Sequence, residues 1–330
     1  MAYDGKIMRR ALQRFEDDRT QRETRFEERR ESIFRRQPRL REIDEELRST
    51  MSRIIAQALR QGTDPRPAVE QLRDENLSLQ EEKRVLLTQM GLPEDALEEK
   101  PACALCGDTG YRGGAVCRCL RNYYAREQQK ELSRMLDLGS QSFDTFSLEW
   151  YSEEYKPELG ISDRENMDWV KKTCRKYAET FKPSSGNLLL TGKPGLGKTH
   201  LSAAIAREVS GDGWSVVYDM AGRVFERFEA RKFGREDDEV IADTDRILNC
   251  DLLILDDLGT EMTTAFVQSA LYQIVNTRML EKRSTIISTN LSPEEIAKRY
   301  TPQLASRIEG EYQTLPFAGE DIRRLKKERC

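Results

Sequence analysis

Apolar positions are sparse over the first 60 residues, in a highly charged background. Leu40, Ile43, Leu47, Met51, Ile54 and Ala58 step by three and four, the spacing of one helix face. The stretch QGTDPRPA (61–68) ends that helix, because Gly62, Pro65 and Pro67 are unsuited to its interior. A second helical run carries Leu72, Leu79 and Leu86, seven apart with charges between them. The two runs form a helical hairpin; coiled-coil pairing and an amphipathic bundle fit the spacing equally well. Residues 91–102 read as a linker and 120–136 as a further helix. From about residue 140 the pattern changes. Aromatic residues appear in FDTFSLEWY (143–151), and a helix follows near 163–181. Strand-like apolar runs then occupy 187–191, 215–218, 252–256 and 284–289, separated by helical stretches. Strands alternating with helices predict a parallel sheet covered on both faces.

Composition narrows the class. Of 330 residues, 38% are hydrophobic and 34% charged, polar enough that part of the chain is expected to be exposed helix. With 54 basic and 58 acidic residues the net charge is −4, so any nucleic-acid surface must be local. No apolar run long enough for a membrane span is seen, and MAYDGKIMRRALQRFEDD lacks the apolar centre of a signal peptide. A cytosolic location is expected, where seven cysteines do not make a disulfide framework.

The chemistry concentrates after the first strand-like run. Gly192-Lys193-Pro194-Gly195-Leu196-Gly197-Lys198-Thr199 fits G-x-x-x-x-G-K-[ST] between an apolar strand and a helix. Such glycines let backbone N–H groups close around phosphate oxygens, and the following helix points its positive end at them. Lys198 is expected to reach the β- and γ-phosphates of ATP, and Thr199 to ligate Mg²⁺. The run CDLLILDDLG (250–259) ends in two carboxylates: Asp256 fits the group that holds Mg²⁺, Asp257 the group that polarises the attacking water. STIISTNLS (284–292) ends in Asn290, an amide able to orient water against the γ-phosphate.

Cys103, Cys106, Cys117 and Cys119 form C-x₂-C, ten residues, then C-x-C, with four glycines in GDTGYRGGAV between them. Four thiolates so spaced can close tetrahedrally on Zn²⁺ as a structural site. A redox pair is the alternative, without the strand–helix context such pairs use.

GKPGLGKTHL, LLILDDLGTE, IISTNLSPEEI, LASRIEGEY and GEDIRRLKK, in that order, resemble the AAA+ ATPases of the DnaC/DnaI helicase-loader and IstB group. The resemblance covers roughly residues 140–330. It implies an α/β, P-loop parallel sheet with helices on both faces and little or no C-terminal lid. A helical partner-binding region (1–100) and a zinc module with a linker helix (101–139) precede it. On that resemblance Asp256 and Asp257 take the Walker B positions and Asn290 that of sensor 1. Arg307 takes the position of the arginine finger offered to a neighbouring subunit's ATP, and Arg323 that of sensor 2. His200 matches the group's GKTH and is expected to pack beside the phosphate site. The implied partners are a DnaB-like replicative helicase, single-stranded DNA and further copies of the chain. An IstB-type transposition helper and a nucleotide-regulated adaptor with little hydrolysis remain as alternatives.

A DNA contact is expected in VVYDMAGRVFERFEARKFGR (216–235). There Arg223, Arg227 and Arg231 are four apart, and Phe225 and Phe228 lie beside them. A second reading packs the two phenylalanines onto the sheet.

Overall fold

The computed structural model describes residues 3–58, 66–133, 136, 140–157, 160–234 and 238–329. Side chains of 51–58, 66–69, 71, 239 and 329 are outside the description, and with them the expected contributions of Met51, Ile54 and Ala58. Of the expected break at 61–68, positions 61–65 are likewise outside it. Packing divides the chain into two units, 14–115 and 1–13 joined with 116–330, a partition that cuts the chain differently from 1–100, 101–139 and 140–330.

In the smaller unit, α1 (Gly5–Arg36) supplies all but its first turns, followed by α2 (Pro38–Ala58) and α3 (Arg66–Gln89). Pro67 sits in the first turn of α3, where its missing N–H costs no helical bond. The α2–α3 pair is the expected hairpin: Thr50 Oγ1 donates to Asn76 Oδ1 at 2.9 Å, and Arg39 forks onto Glu82 at 2.8 and 3.0 Å. Ile33, Phe34, Leu40, Leu87, Ala96 and Leu97 form a small core. Most of α1 escapes detection by apolar period; pairs such as Arg19–Glu23 and Glu27–Arg30 on its exposed face support it instead.

A short ribbon of β1 (Tyr111–Arg112) and β2 (Ala115–Val116) follows in the chain, and α4 (Arg118–Leu132) belongs to the larger unit. A second ribbon, β3 (Tyr155–Lys156) with β4 (Ile161–Ser162), leads into α5 (Asp163–Glu179). Ser162 and Glu165 cap that helix reciprocally. The alternating portion then runs β5 (Asn187–Thr191), α6 (Lys198–Gly211), β6 (Val216–Met220), α7 (Ala221–Phe233), α8 (Asp238–Asn249), β7 (Leu252–Leu258), α9 (Ala265–Leu280) and β8 (Ser284–Thr289). It ends with α10 (Pro293–Arg299), α11 (Pro302–Glu311), β9 (Tyr312–Pro316) and α12 (Ile322–Arg329).

The five long strands form one parallel sheet in the order β6-β7-β8-β5-β9. Their side chains alternate between faces. Leu188, Leu190, Val216, Leu252, Ile254 and Ile286 enter one core, with residues of α5 and α6. Leu189, Val217, Leu253, Leu255 and Ile287 enter the other, with residues of α7, α9 and α11. Burial on both sides explains why these strands read as continuous apolar runs. The outer strand β6 is covered by α4. Buried Gln128 accepts from Val216 N at 3.0 Å and donates to Trp214 O at 2.6 Å, protecting an edge that could otherwise pair with another chain. No helix among the described residues is long and apolar enough to cross a membrane.

Candidate nucleotide site

In a parallel sheet of this kind ligands bind outside the carboxyl ends of the strands, and the chemistry-bearing residues meet there. The turn after β5 closes on Gly197, the N-cap of α6, at φ +88°; a Cβ there would lie 2.8 Å from the Phe146 ring. At Gly192, with φ +139°, a Cβ would lie 2.5 Å from the carbonyl oxygen of Phe317. Both positions need glycine for conformation and for space. Two carbonyls of the loop are held from outside: Tyr151 Oη donates to Leu196 O at 2.9 Å, and Ile322 N donates to Gly195 O at 3.1 Å.

The Lys198 ammonium is buried and donates to Gly192 O, Lys193 O and Asn290 Oδ1 at 2.6, 2.8 and 2.6 Å. Burial pulls its pKa down from the usual lysine value, while Asp257 and Asp256 hold it up. Asp256, also buried, receives three hydroxyl donors. Thr199 Oγ1 at 3.0 Å and Tyr218 Oη at 2.6 Å reach Oδ2, and Ser288 Oγ reaches Oδ1. The Thr199–Asp256 bond brings together the two groups expected to hold Mg²⁺. The pKa of Asp257 is raised from the usual aspartate value, first by burial and then by the Asp256 charge beside it, with Lys198 and Arg323 opposing.

These groups border a cavity of about 370 Å³. The lining includes Pro194, Gly195, Leu196, Gly197, Lys198, Thr199, Asp257 and Asn290. Gln141, Phe146, Trp150, His200, Ile322, Arg323 and Lys326 complete the lining. Lys193 meets the site through its carbonyl, bonded to Lys198. The site suits a nucleotide: it combines a glycine-shaped turn and an ammonium with the aromatic side chains of Phe146 and Trp150. Gln141 Oε1 is buried and accepts no hydrogen bond among the described residues. His200 packs as expected, with Nε2 at 2.8 Å from Ser142 O and its ring edge-on to Phe146. Arg323 borders the cavity from α12. Trp150, Phe146, Gln141 and Lys326 were not singled out from sequence. For Phe146 and Trp150 the only signal was the aromatic run ahead of the loop.

Arg307 lies away from this cavity. Its guanidinium donates to Asn276 and sits 5.2 Å over the Tyr272 ring, on the α9–α11 side of the sheet.

The expected DNA stripe needs correction. Phe225 and Phe228 are 2% and 6% exposed, packed in the second core, so their rings cannot stack on bases. Val224, Phe225 and Phe228 share one helix face and bury it against the sheet. Arg227 is bonded to buried Asp219 at 2.6 Å, and Arg231 to Thr244 and Asp245 at 2.7 Å each. Arg223 is exposed. The accessible aromatic is Phe233, 69% exposed. Its ring lies 5.8 Å from Phe266, and Lys232 Nζ stands 5.4 and 5.2 Å from the two ring centres.

The Sγ atoms of Cys103, Cys106, Cys117 and Cys119 all lie within 4.8 Å of one another. A tetrahedral zinc with ~2.3 Å bonds spaces its sulfurs by roughly 3.8 Å, so the donor set and its spacing fit this ion.

Residues 170–324 match the IstB-like ATP binding protein family. The replicative helicase loader DnaC of Escherichia coli (strain K12) is 32% identical over 139 residues, 41% of this chain and 55% of that protein. The uncharacterized protein YdaV of the same organism is 30% identical over 152 residues, 44% of this chain and 57% of that protein. A solved structure of the DnaC helicase loader aligns with a TM-score of 0.45 at 22% identity, covering 55% of this chain and 99% of that one. The chain therefore spans little more than half the length of these curated relatives. Over residues 170–324 the chain is thus similar to the IstB-like ATP binding proteins, and across much of that stretch to the replicative helicase loader DnaC.

Proposed function

We propose that this chain is an ATP-dependent helicase loader, binding and hydrolysing ATP in an oligomer to place a replicative helicase on single-stranded DNA. The observation that carries the ATPase part is the convergence of Lys198, Thr199, Asp257 and Asn290 on one cavity, with Asp256 bonded to Thr199 behind them. Thr199 and Asp256 would hold Mg²⁺, which when bound neutralises charge shared by the β- and γ-phosphates. Lys198 faces the same oxygens. Asp257 orients and polarises the attacking water, and Asn290 fixes its position. Arg307, outside its own chain's cavity, acts on a neighbour's, and Arg323 acts within its own.

The loader role draws on the similarity to DnaC across the ATPase domain. The helices of 1–100 provide the helicase-docking element, and the four cysteines hold a structural zinc beside it. Single-stranded DNA contacts the α7 region through Arg223 and the Phe233–Phe266–Lys232 cluster, a cation over two mutually tilted aromatic rings. The transposition-helper reading also has support, since a putative insertion sequence ATP-binding protein of Sinorhizobium fredii is 31% identical over 112 residues. A steady-state ATPase assay with and without single-stranded DNA, combined with capture of purified replicative helicase, tests the proposal. Hydrolysis with helicase capture is expected. A chain that binds a transposase and ignores helicase contradicts the loader role.

A further inference from the structure

We infer that Ser288 is a positioning residue that ties the two adjacent carboxylates of the site together. The inference rests on the ATPase reading above. It begins with the sheet register: Leu255 pairs with Ile287, but Leu258 pairs with Thr289. Three steps along β7 therefore match two along β8. Asp256 and Asp257 together oppose the single residue Ser288, the arrangement of a β-bulge, which re-aims a side chain and leaves one residue outside the ladder. Asp257 takes φ +53°, a left-handed conformation that a non-glycine residue keeps only when its surroundings enforce it.

Ser288 supplies that enforcement with one hydroxyl. It is fully buried, donates its proton to Asp256 Oδ1, and accepts Asp257 N–H at 3.0 Å. The bulge removes a strand partner from that N–H, and the serine oxygen replaces it. The same oxygen thus orients the carboxylate that would hold Mg²⁺ and the backbone that aims Asp257 into the cavity. Thr199 and Tyr218 occupy Oδ2 of Asp256, so Ser288 alone among the described side chains bonds Oδ1. Partners that orient a metal-holding carboxylate commonly contribute about 10- to 100-fold to metal affinity or activity.

The test compares the full chain with Ser288→Ala, and Ser288→Thr with Ser288→Val, a pair of equal shape differing in the hydroxyl. Two quantities are read: binding of a fluorescent ATP analogue as Mg²⁺ is titrated, and kcat against KM for ATP. Ser288→Ala and Ser288→Val should need about ten times more Mg²⁺ for half-maximal binding, with analogue affinity in EDTA within about threefold of the parent. At saturating Mg²⁺ their kcat should fall roughly 10- to 100-fold with KM little changed. Ser288→Thr should recover most of both. If Ser288→Ala does not fold, the Thr–Val comparison decides alone. An unchanged Mg²⁺ requirement in folded Ser288→Val overturns the inference even if the parent hydrolyses ATP. Absence of hydrolysis in the parent overturns the ATPase reading instead, and the Mg²⁺ titration still reports on Ser288.

Discussion

Replacing Lys198 with Ala removes the one cation seated inside the phosphate turn. The ammonium makes three short bonds, to Gly192 O, Lys193 O and Asn290 Oδ1, and on nucleotide binding it exchanges such partners for phosphate oxygens. Hydrogen bonds to charged groups contribute about 1.5–3 kcal/mol each. The exchange is partial, so a net loss of about 2–4 kcal/mol in binding follows, or roughly 30- to 1000-fold in Kd. The fold itself should lose less. Burial already lowers the pKa of Lys198, so keeping it charged carries a desolvation cost that Ala relieves. Titration with a fluorescent ATP analogue measures the first effect, and thermal unfolding the second. At nucleotide 100 times the parent's Kd, binding adds about 2.7 kcal/mol of stability. That is roughly 5–10 °C for a domain of this size. Lys198→Ala should show almost none of this shift while melting within a few degrees of the parent without nucleotide. A variant that binds the analogue as tightly as the parent would refute the placement of the phosphates.

The remaining expectations concern other parts of the molecule. The rate of hydrolysis should fall on acidification through the raised pKa of Asp257, above the ordinary aspartate value of about 4. The raised value also means that the folded state favours the protonated form. Asp257→Asn should therefore raise the melting temperature at pH 8, with the gain vanishing as pH drops below about 4; an equal gain at both pH values contradicts this. Mixing Arg307→Ala with Asp257→Asn chains should recover some activity from mixed sites, whereas no recovery argues against a shared site. Protein purified without added zinc should carry about one equivalent per chain, and metal-free protein with four reactive thiols overturns the zinc module. A chain starting at residue 140 should be less stable to heat than one starting at 116. It lacks α4 and the buried Gln128 that bonds Trp214 and Val216, and equal melting temperatures would show that this cover is dispensable.

What the sequence disclosed depended on how local the signal was. The phosphate turn, the aspartate pair and Asn290 each sit at the end of an apolar strand, so motif and context coincide within about 20 residues. Strands β5 and β8 were placed to the residue because burial on both faces makes them unbroken apolar runs. Strand β9, Tyr-Gln-Thr-Leu-Pro, escaped because it lies at the sheet edge and only Tyr312 and Leu315 are buried. The cavity's aromatic side chains escaped for a different reason. Phe146 and Trp150 reach the phosphate turn across some 50 residues of chain, and no periodicity records such a meeting. Phe225 and Phe228 show the opposite error: a basic, aromatic composition suggested DNA, but their spacing with Val224 already described a buried face. The bulge at Asp256–Asp257 lies beyond sequence reading altogether, since register belongs to the pairing of two strands.

In the proposed function, helicase loading is driven by ATP chemistry at this site. The most direct measurement is the rate at which a purified replicative helicase associates with single-stranded DNA, with the parent chain or Lys198→Ala added in the presence of ATP. The parent should accelerate association and Lys198→Ala should not. Equal rates with parent, variant or no addition, at concentrations where the parent hydrolyses ATP, would contradict the claim.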